Sequence, residues 1–256
     1  MVICEDYNLI FVEVPNTGCT AINRVLTQHY GGRSILHKHA VYYELKREFG
    51  RKLKGMTVFA TVRSPLEVMM TQFQKMTYDH RNRFSEPERR QAWSLTPKHR
   101  KMFNDIQSGL TFSDYLQKYF QREYHNFYLL GCQHVDFLLR HESLQEGFEQ
   151  VMRHVGVASP VTIPHTNKTE GKKTISEAYA PDVRRHVADV FGPFMEKWGY
   201  TFPPEWSVAR PSLSRRLRFK AIESAAEFAS STLGVSPNGS PRWIQAVRDG
   251  IRPITG

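Results

Sequence analysis

Pro15-Asn16-Thr17-Gly18-Cys19-Thr20-Ala21 is the stretch of this chain best suited to holding an anion. It follows a β-branched and aromatic run (Leu9, Ile10, Phe11, Val12, Val14) and precedes a pattern in which Ile22, Val25, Leu26 and His29 share one helical face. A strand, a tight loop and a helix are therefore expected, and such a corner turns backbone N–H groups and a helix N-terminus toward one point. Gly18 lets the chain come close, and the Thr17 and Thr20 hydroxyls add donors. The Gly-Lys-Ser/Thr ending that gives a nucleotide triphosphate loop its lysine and magnesium ligand is missing, which argues against a kinase or ATPase. Two other places carry charge or proton chemistry. Arg63 ends the buried run 56–62, at the carboxyl end of a strand, where open α/β sheets take ligands. His37 and His39 are two positions apart, so an extended segment puts them on one face and a helix separates them.

The elements that must position these residues are readable in order. After the first helix, Gly31-Gly32 is a stop, and Ser34-Ile35-Leu36 reads as a short strand. A second helix carries Val41, Leu45 and Phe49 and ends at Gly50. The strand 56–62 runs into Ser64-Pro65-Leu66-Glu67, a capping-box pattern with proline in the first turn, followed by the stripe Leu66, Met69, Met70 and Phe73. Residues 78–109 are polar and read either as a solvated face or as a mobile acceptor-binding segment, and Tyr115, Leu116, Tyr119 and Phe120 read as core. A third strand within 135–144 leads to a helix with Phe148, Val151, Met152 and Val155. A further helix is expected from about 176 to 198, with Pro193 kinking or interrupting it. Residues 213–230 read as a basic amphipathic helix with Leu217, Ile222, Ala225, Phe228 and Ala229 on its apolar face.

Composition bounds the function. The 256 residues suit one α/β domain with appendages. No apolar run approaches the ~18 residues of a membrane span, and the N-terminus lacks a signal pattern. Three cysteines without a Cys-x-x-Cys pair fit a reducing, cytoplasmic setting better than a disulfide framework or structural zinc. The net charge of +10 suits a polyanionic ligand, and about half the excess lies in residues 207–256. No RNA- or DNA-binding motif accompanies it.

Several of these features together resemble one family. The strand, the Pro-x-Thr-Gly-x-Thr turn and the helix resemble the 5′-phosphosulfate loop of sulfotransferases that use 3′-phosphoadenosine 5′-phosphosulfate (PAPS), and most closely the carbohydrate-type, family 2-like branch. Val62-Arg63-Ser64-Pro65 followed by Thr71-Gln72-Phe73 is similar to the family's 3′-phosphate motif, with Thr71 where serine is usual and Phe73 where tyrosine is usual. A guanidinium fork binds phosphate bidentately, and a hydroxyl two helical turns on reaches the same group. Asp136-Phe137 with Arg140, Glu142 and Leu144 resembles an Asp-Phe-x-x-Arg-x-Glu-x-Leu segment, with Arg140 and Glu142 read as an ion pair. Pro164-His165-Thr166-Asn167-Lys168-Thr169, with Lys172 and Lys173, resembles a basic loop able to close over the nucleotide.

The resemblance implies a three-layer α/β/α domain of the P-loop NTPase-like sulfotransferase fold over residues 1–206, with a central parallel sheet, and a basic extension over 207–256. It implies PAPS as co-substrate, no metal, and transfer of a sulfuryl group to a hydroxyl on a carbohydrate, itself anionic in one reading. Pro15, Asn16, Thr17, Gly18, Cys19, Thr20, Ala21, Arg63 and Thr71 then bind the donor. His39, or His37, removes the acceptor proton, with Glu13 a second base candidate. The family's loop carries a lysine after the proline where this chain has Asn16. That departure costs about 3 kcal/mol of transition-state stabilisation unless another cation, such as Lys38 or Arg24, replaces it. The competing reading is a donor-binding protein of the same fold that acts in recognition without catalysis. The extension packs on the domain, pairs with another copy, or lies on a membrane surface.

Overall fold

The computed structural model describes residues 1–86, 95–164, 174–208 and 210–237, which divide into two compact units. The first unit, residues 1–63, 126–164 and 225–237, is built on a five-stranded sheet in the order β3-β1-β2-β4-β5. Strands β1 (Val2–Cys4) and β2 (Leu9–Val12) form an antiparallel pair. The turn between them closes at Asn8, whose φ of +46° is one that asparagine tolerates better than most residues. Strand β3 (Arg33–Ser34) adds antiparallel to β1. Strands β4 (Thr57–Val62) and β5 (Phe137–Arg140) run parallel to β2 and to each other. The expected parallel sheet is thus a mixed one with a parallel β2-β4-β5 half. The correction has a simple cause: a strand joined to its neighbour by a tight turn must return antiparallel, whereas a parallel pairing needs a long crossover.

One face of the sheet carries α1 (Cys19–His29) and α6 (Leu144–His154). Their Ile22, Val25, Leu26, Phe148, Val151 and Met152 pack with Val2, Cys4, Phe11, Phe59 and Leu139. Phe11 and Phe59, paired in register, stack at 4.7 Å. The alternate strand residues Ile3, Ile10, Val12 and Ala60 are equally buried, so both faces of the sheet are removed from water. Helix α2 (Tyr42–Phe49) buries Tyr43 and Leu45 and ends at Gly50, as expected.

The second unit, residues 64–86, 95–125, 174–208 and 210–224, is helical. Helix α3 (Pro65–Thr77) begins where the sequence places it, with proline in its first turn, but Ser64 gives no side-chain cap. Helices α4 (Pro97–Gln107) and α5 (Phe112–Tyr119) start at Thr96 and Thr111, whose hydroxyls accept from the N–H three residues on. Part of the polar segment 78–109 is therefore ordered helix, with His99, Met102 and Ile106 buried, while residues 87–94 lie outside the described residues. Tyr115 and Leu116 are core residues, as expected, and Tyr179 donates its hydroxyl to Leu66 O at 2.8 Å. The long helix expected from residue 176 breaks at Pro181, which separates α7 (Ile175–Ala178) from α8 (Pro181–Lys197). Pro181 fits a first turn because its missing N–H has no intrahelical role there. α8 then continues through the buried Pro193 without the expected interruption.

Helix α9 (Leu213–Thr232) forms where the basic amphipathic stretch predicts it, but only part of the expected face is buried: Ala229 is inside and Ile222 half-buried. Phe219, Ala226 and Ala229 are inside, while Leu217 and Phe228, expected on the apolar face, are 57% and 60% exposed. Charge decides the orientation. Arg215 reaches the buried Glu123 at 3.1 Å, and Glu223 meets both His125 and Lys197, which turns the Phe219 side inward. Among the described residues no helix is long and apolar enough to cross a membrane.

Candidate functional site

The site assembles in the first unit, where β2 delivers the chain to Pro15 and α1 leaves at Cys19. Two residues of the turn are left-handed: Asn16 at φ +64° and Gly18 at φ +84°, which stands at the N-cap of α1. Asparagine is among the few side chains that adopt this region readily, so the residue at this position matches its backbone. Among the described residues none accepts a hydrogen bond from the N–H of Thr17, Gly18 or Cys19. Three donors and the positive end of a helix thus converge without a protein acceptor.

The two threonines of the loop part company. Thr17 is 2% exposed, and its hydroxyl is spent internally, on Val14 O at 2.7 Å and on the Thr61 hydroxyl at 2.5 Å. Its side chain holds the loop to β4 and offers a ligand nothing beyond the backbone N–H. Thr20 is exposed and lines a cleft of about 170 Å³ with Glu13, Asn23, Ser34 and Lys38. Cys19 is buried and its thiol is pushed up to about 11, chiefly by burial and then by the Glu13 carboxylate, so it remains a neutral thiol.

Arg63, at the end of β4, donates from Nη1 to Asn16 O at 3.4 Å, which sets a guanidinium against the anion-suited turn. Two sequence-predicted elements, the loop and Arg63, therefore meet. Thr71 lies on α3 in the second unit, half-buried, and its phosphate role stays an assignment of the motif. Pro15 is buried and Ala21 half-buried, at the ends of the loop. The basic loop at 165–173 lies outside the described residues.

The three base candidates separate. His39 sits at φ +64° and its Nδ1 donates to Glu13 O at 3.0 Å. A carbonyl acceptor fixes the proton on Nδ1 and leaves the lone pair on Nε2. Burial first, and the nearby Lys38 charge, pull its pKa below 6.5 despite the Glu13 bond, so the ring is neutral at pH 7. The Tyr128 ring stands edge-on to it at 5.8 Å. His37 is exposed and has both ring nitrogens against oxygen acceptors, Glu44 Oε1 at 2.7 Å and Lys38 O at 3.1 Å. Glu44 also accepts from Val41 N–H at 2.8 Å, so His37 belongs to the anchoring of α2. Glu13 is buried with both carboxylate oxygens engaged, one by the Met1 amino group at 2.8 Å and one by Asn23 at 3.1 Å.

One neighbour of the loop escaped the sequence reading. A Cβ placed on Gly18 would stand 2.8 Å from Leu144 Cδ2 and 3.4 Å from His141 Cδ2. His141 therefore closes one side of the corner, and glycine is required both for the backbone angle and for this contact. The available signal was position: β5 runs parallel to β4, so the residues after Arg140 emerge at the same end of the sheet as Arg63.

Residues 1–193 match the model of the sulfotransferase family. No curated protein and no solved structure matches the chain. With three quarters of its length covered by that model, the chain belongs to the sulfotransferase family, on the family 2-like branch.

Proposed function

We propose that this transferase uses PAPS as donor and moves its sulfuryl group to a carbohydrate hydroxyl. The observation that carries the reading is the corner of α1, where the N–H groups of Thr17, Gly18 and Cys19 have no protein acceptor among the described residues and Arg63 stands against the same turn. A helix N-terminus bordered by a guanidinium suits a ligand carrying two separate phosphate groups. In the transfer, the acceptor oxygen attacks sulfur in line, its proton passes to His39 Nε2, the bond from sulfur to the bridging oxygen breaks, and the electron pair stays on the departing phosphate. The N–H groups of the corner meet the charge that develops there. The Nδ1 bond of His39 to Glu13 O, which leaves the lone pair on Nε2, supports His39 over His37 as the base. We take residues 1–206 as the transferase domain and 207–256 as an extension. The free, buried cysteines Cys4, Cys19 and Cys132 support a cytoplasmic setting.

The test is calorimetric titration with 3′-phosphoadenosine 5′-phosphate (PAP), with 5′-AMP as control. Binding that requires the 3′-phosphate and falls roughly 10- to 100-fold in Arg63→Ala, the worth of charge-assisted hydrogen bonds, supports the donor site. A wild-type protein indifferent to the 3′-phosphate overturns it. The second reading, donor recognition without transfer, is favoured by Asn16, since residues 15–21 contain no cationic side chain. It predicts tight PAP binding with no sulfated product from a panel of carbohydrates.

A further inference from the structure

We propose that Lys38 supplies the cation of the transfer site, its ammonium donating a hydrogen bond to the oxygen that bridges phosphorus and sulfur in the donor. The inference deepens the donor reading above and rests on it. Residues 15–21 bring backbone donors but no positive side chain, so charge accumulating on the departing oxygen must be met from another element. Lys38 lines the cleft of about 170 Å³ together with Thr20, on the first turn of α1, and with Asn23 and Ser34. The Glu13 carboxylate in that cleft is already matched by the Met1 amino group. Among the described residues no carboxylate stands within 4.0 Å of the Lys38 ammonium, so no ion pair holds it in the cleft it shares with Thr20.

The backbone holds this lysine in place. Leu36 and His39 on either side of the turn are left-handed, at φ +54° and +64°, Ala40 N–H bonds His37 O at 3.2 Å, and His37 Nδ1 bonds Lys38 O at 3.1 Å. A non-glycine residue in this region carries strain, and two within four positions mark a segment kept in shape for a purpose. The lysine's charge is felt on both sides, by the Cys19 thiol at the start of α1 and by the His39 imidazole, and it lowers the pKa of each. Cation, base and helix N-terminus thus share one small region of the first unit. In the transfer the ammonium keeps its protons: the sulfur–oxygen bond breaks toward the phosphate, whose bridging oxygen gains the electron pair and the Lys38 hydrogen bond.

The experiment compares PAPS, PAP and adenosine 3′-phosphate binding in the wild type, Lys38→Met, Lys38→Arg and Lys46→Met, the last an exposed lysine on α2. Folding of each variant is checked by its melting temperature. Sulfur–oxygen cleavage leaves the bridging oxygen on PAP as a charged phosphate oxygen, so Lys38→Met is expected to lose roughly tenfold in PAPS affinity, the value of one charge-assisted hydrogen bond, and at least as much in PAP affinity, with affinity for adenosine 3′-phosphate, which lacks the 5′ group, within about twofold of wild type. Lys38→Arg recovers most of the loss and Lys46→Met behaves as wild type. If PAP binds the wild type and Lys38→Met binds PAP and PAPS normally, or loses adenosine 3′-phosphate as strongly as PAP, the role of Lys38 is overturned while the donor site stands. If the wild type binds neither PAPS nor PAP, the donor reading falls and this inference with it.

Discussion

Glu123 is wholly buried, accepts from Arg215 at 3.1 Å, and lies in a unit where Glu223 is in turn held by His125 at 2.8 Å and Lys197 at 2.5 Å. Around the turn 15–19 the bookkeeping is reversed. The N–H groups of Thr17, Gly18 and Cys19 and the ammonium of Lys38 have no protein acceptor among the described residues. The first arrangement is a paired network: each carboxylate answers a basic group of the same chain, although Glu123 Oε2 has no hydrogen-bond partner among the described residues, and its work is to seat α9. The second is open, and an open set of donors is complete only when something else brings the acceptor. A high density of charge therefore does not by itself mark a binding site; a convergent set of donors without internal acceptors does.

The largest expected effect falls on the open side. His39→Asn removes the Nε2 lone pair and should lower the transfer rate by ~10²–10⁴-fold while PAP affinity stays near wild type. Because burial holds the His39 pKa below 6.5, the wild-type rate should be level at neutral pH and fall only as the pH drops through that lower value. A rate profile that already falls above pH 7, or a variant that retains its rate, breaks the assignment. His37→Ala in the same assay should change the rate by less than about threefold, since its nitrogens face Glu44 and Lys38 O.

Thr17 sharpens the contrast from within the loop, because its hydroxyl is internally satisfied while its N–H has no acceptor among the described residues. Thr17→Val deletes a buried hydroxyl that bonds Val14 O and Thr61, and should cost about 1–3 kcal/mol of unfolding free energy in denaturant titration. PAP affinity of the folded variant should hold within a few-fold. A loss of affinity without a loss of stability would instead give the Thr17 hydroxyl the ligand-binding role that the resemblance implies.

What the sequence disclosed follows the same division. Strand–loop–helix at residues 9–29, the strand ending at Arg63 and the third strand with its helix were legible because hydrophobic period and punctuation are local signals. The contact of Arg63 with the loop was not, because the motif assigns Arg63 to the 3′-phosphate with Thr71 and only the parallel pairing of β2 with β4 sets it beside Asn16. The antiparallel β1 was not, because three residues, Val2–Cys4, are too few to show alternation. The inward turn of Thr17 depends on Thr61, a partner distant in sequence. The buried face of α9 was partly misjudged, for a related reason: hydropathy points to Leu217 and Phe228, whereas the face is chosen by Glu123 and His125, residues no helical period can announce.

The paired network makes the smallest and most specific prediction. Burial pushes the Glu223 carboxyl up, but the His125 hydrogen bond and the Lys197 charge outweigh it and hold the pKa below the ordinary 4.5. A carboxylate depressed in the folded state contributes stability that is complete above its unfolded value and is lost as pH falls through the folded one. Each unit of depression corresponds to about 1.4 kcal/mol. Thermal unfolding followed from pH 7 to pH 3 should therefore show a steeper acid decline in the wild type than in Glu223→Gln, which keeps the shape of the side chain without a titrating charge. Above pH 5 the variant should be the less stable of the two, because Lys197 loses its counter-charge and His125 its carboxylate partner. PAP affinity at pH 7 should be the same in both. If Glu223→Gln weakens PAP binding as much as it lowers stability, the network is part of the donor site, and the division between paired and open charge no longer separates structure from function in this chain.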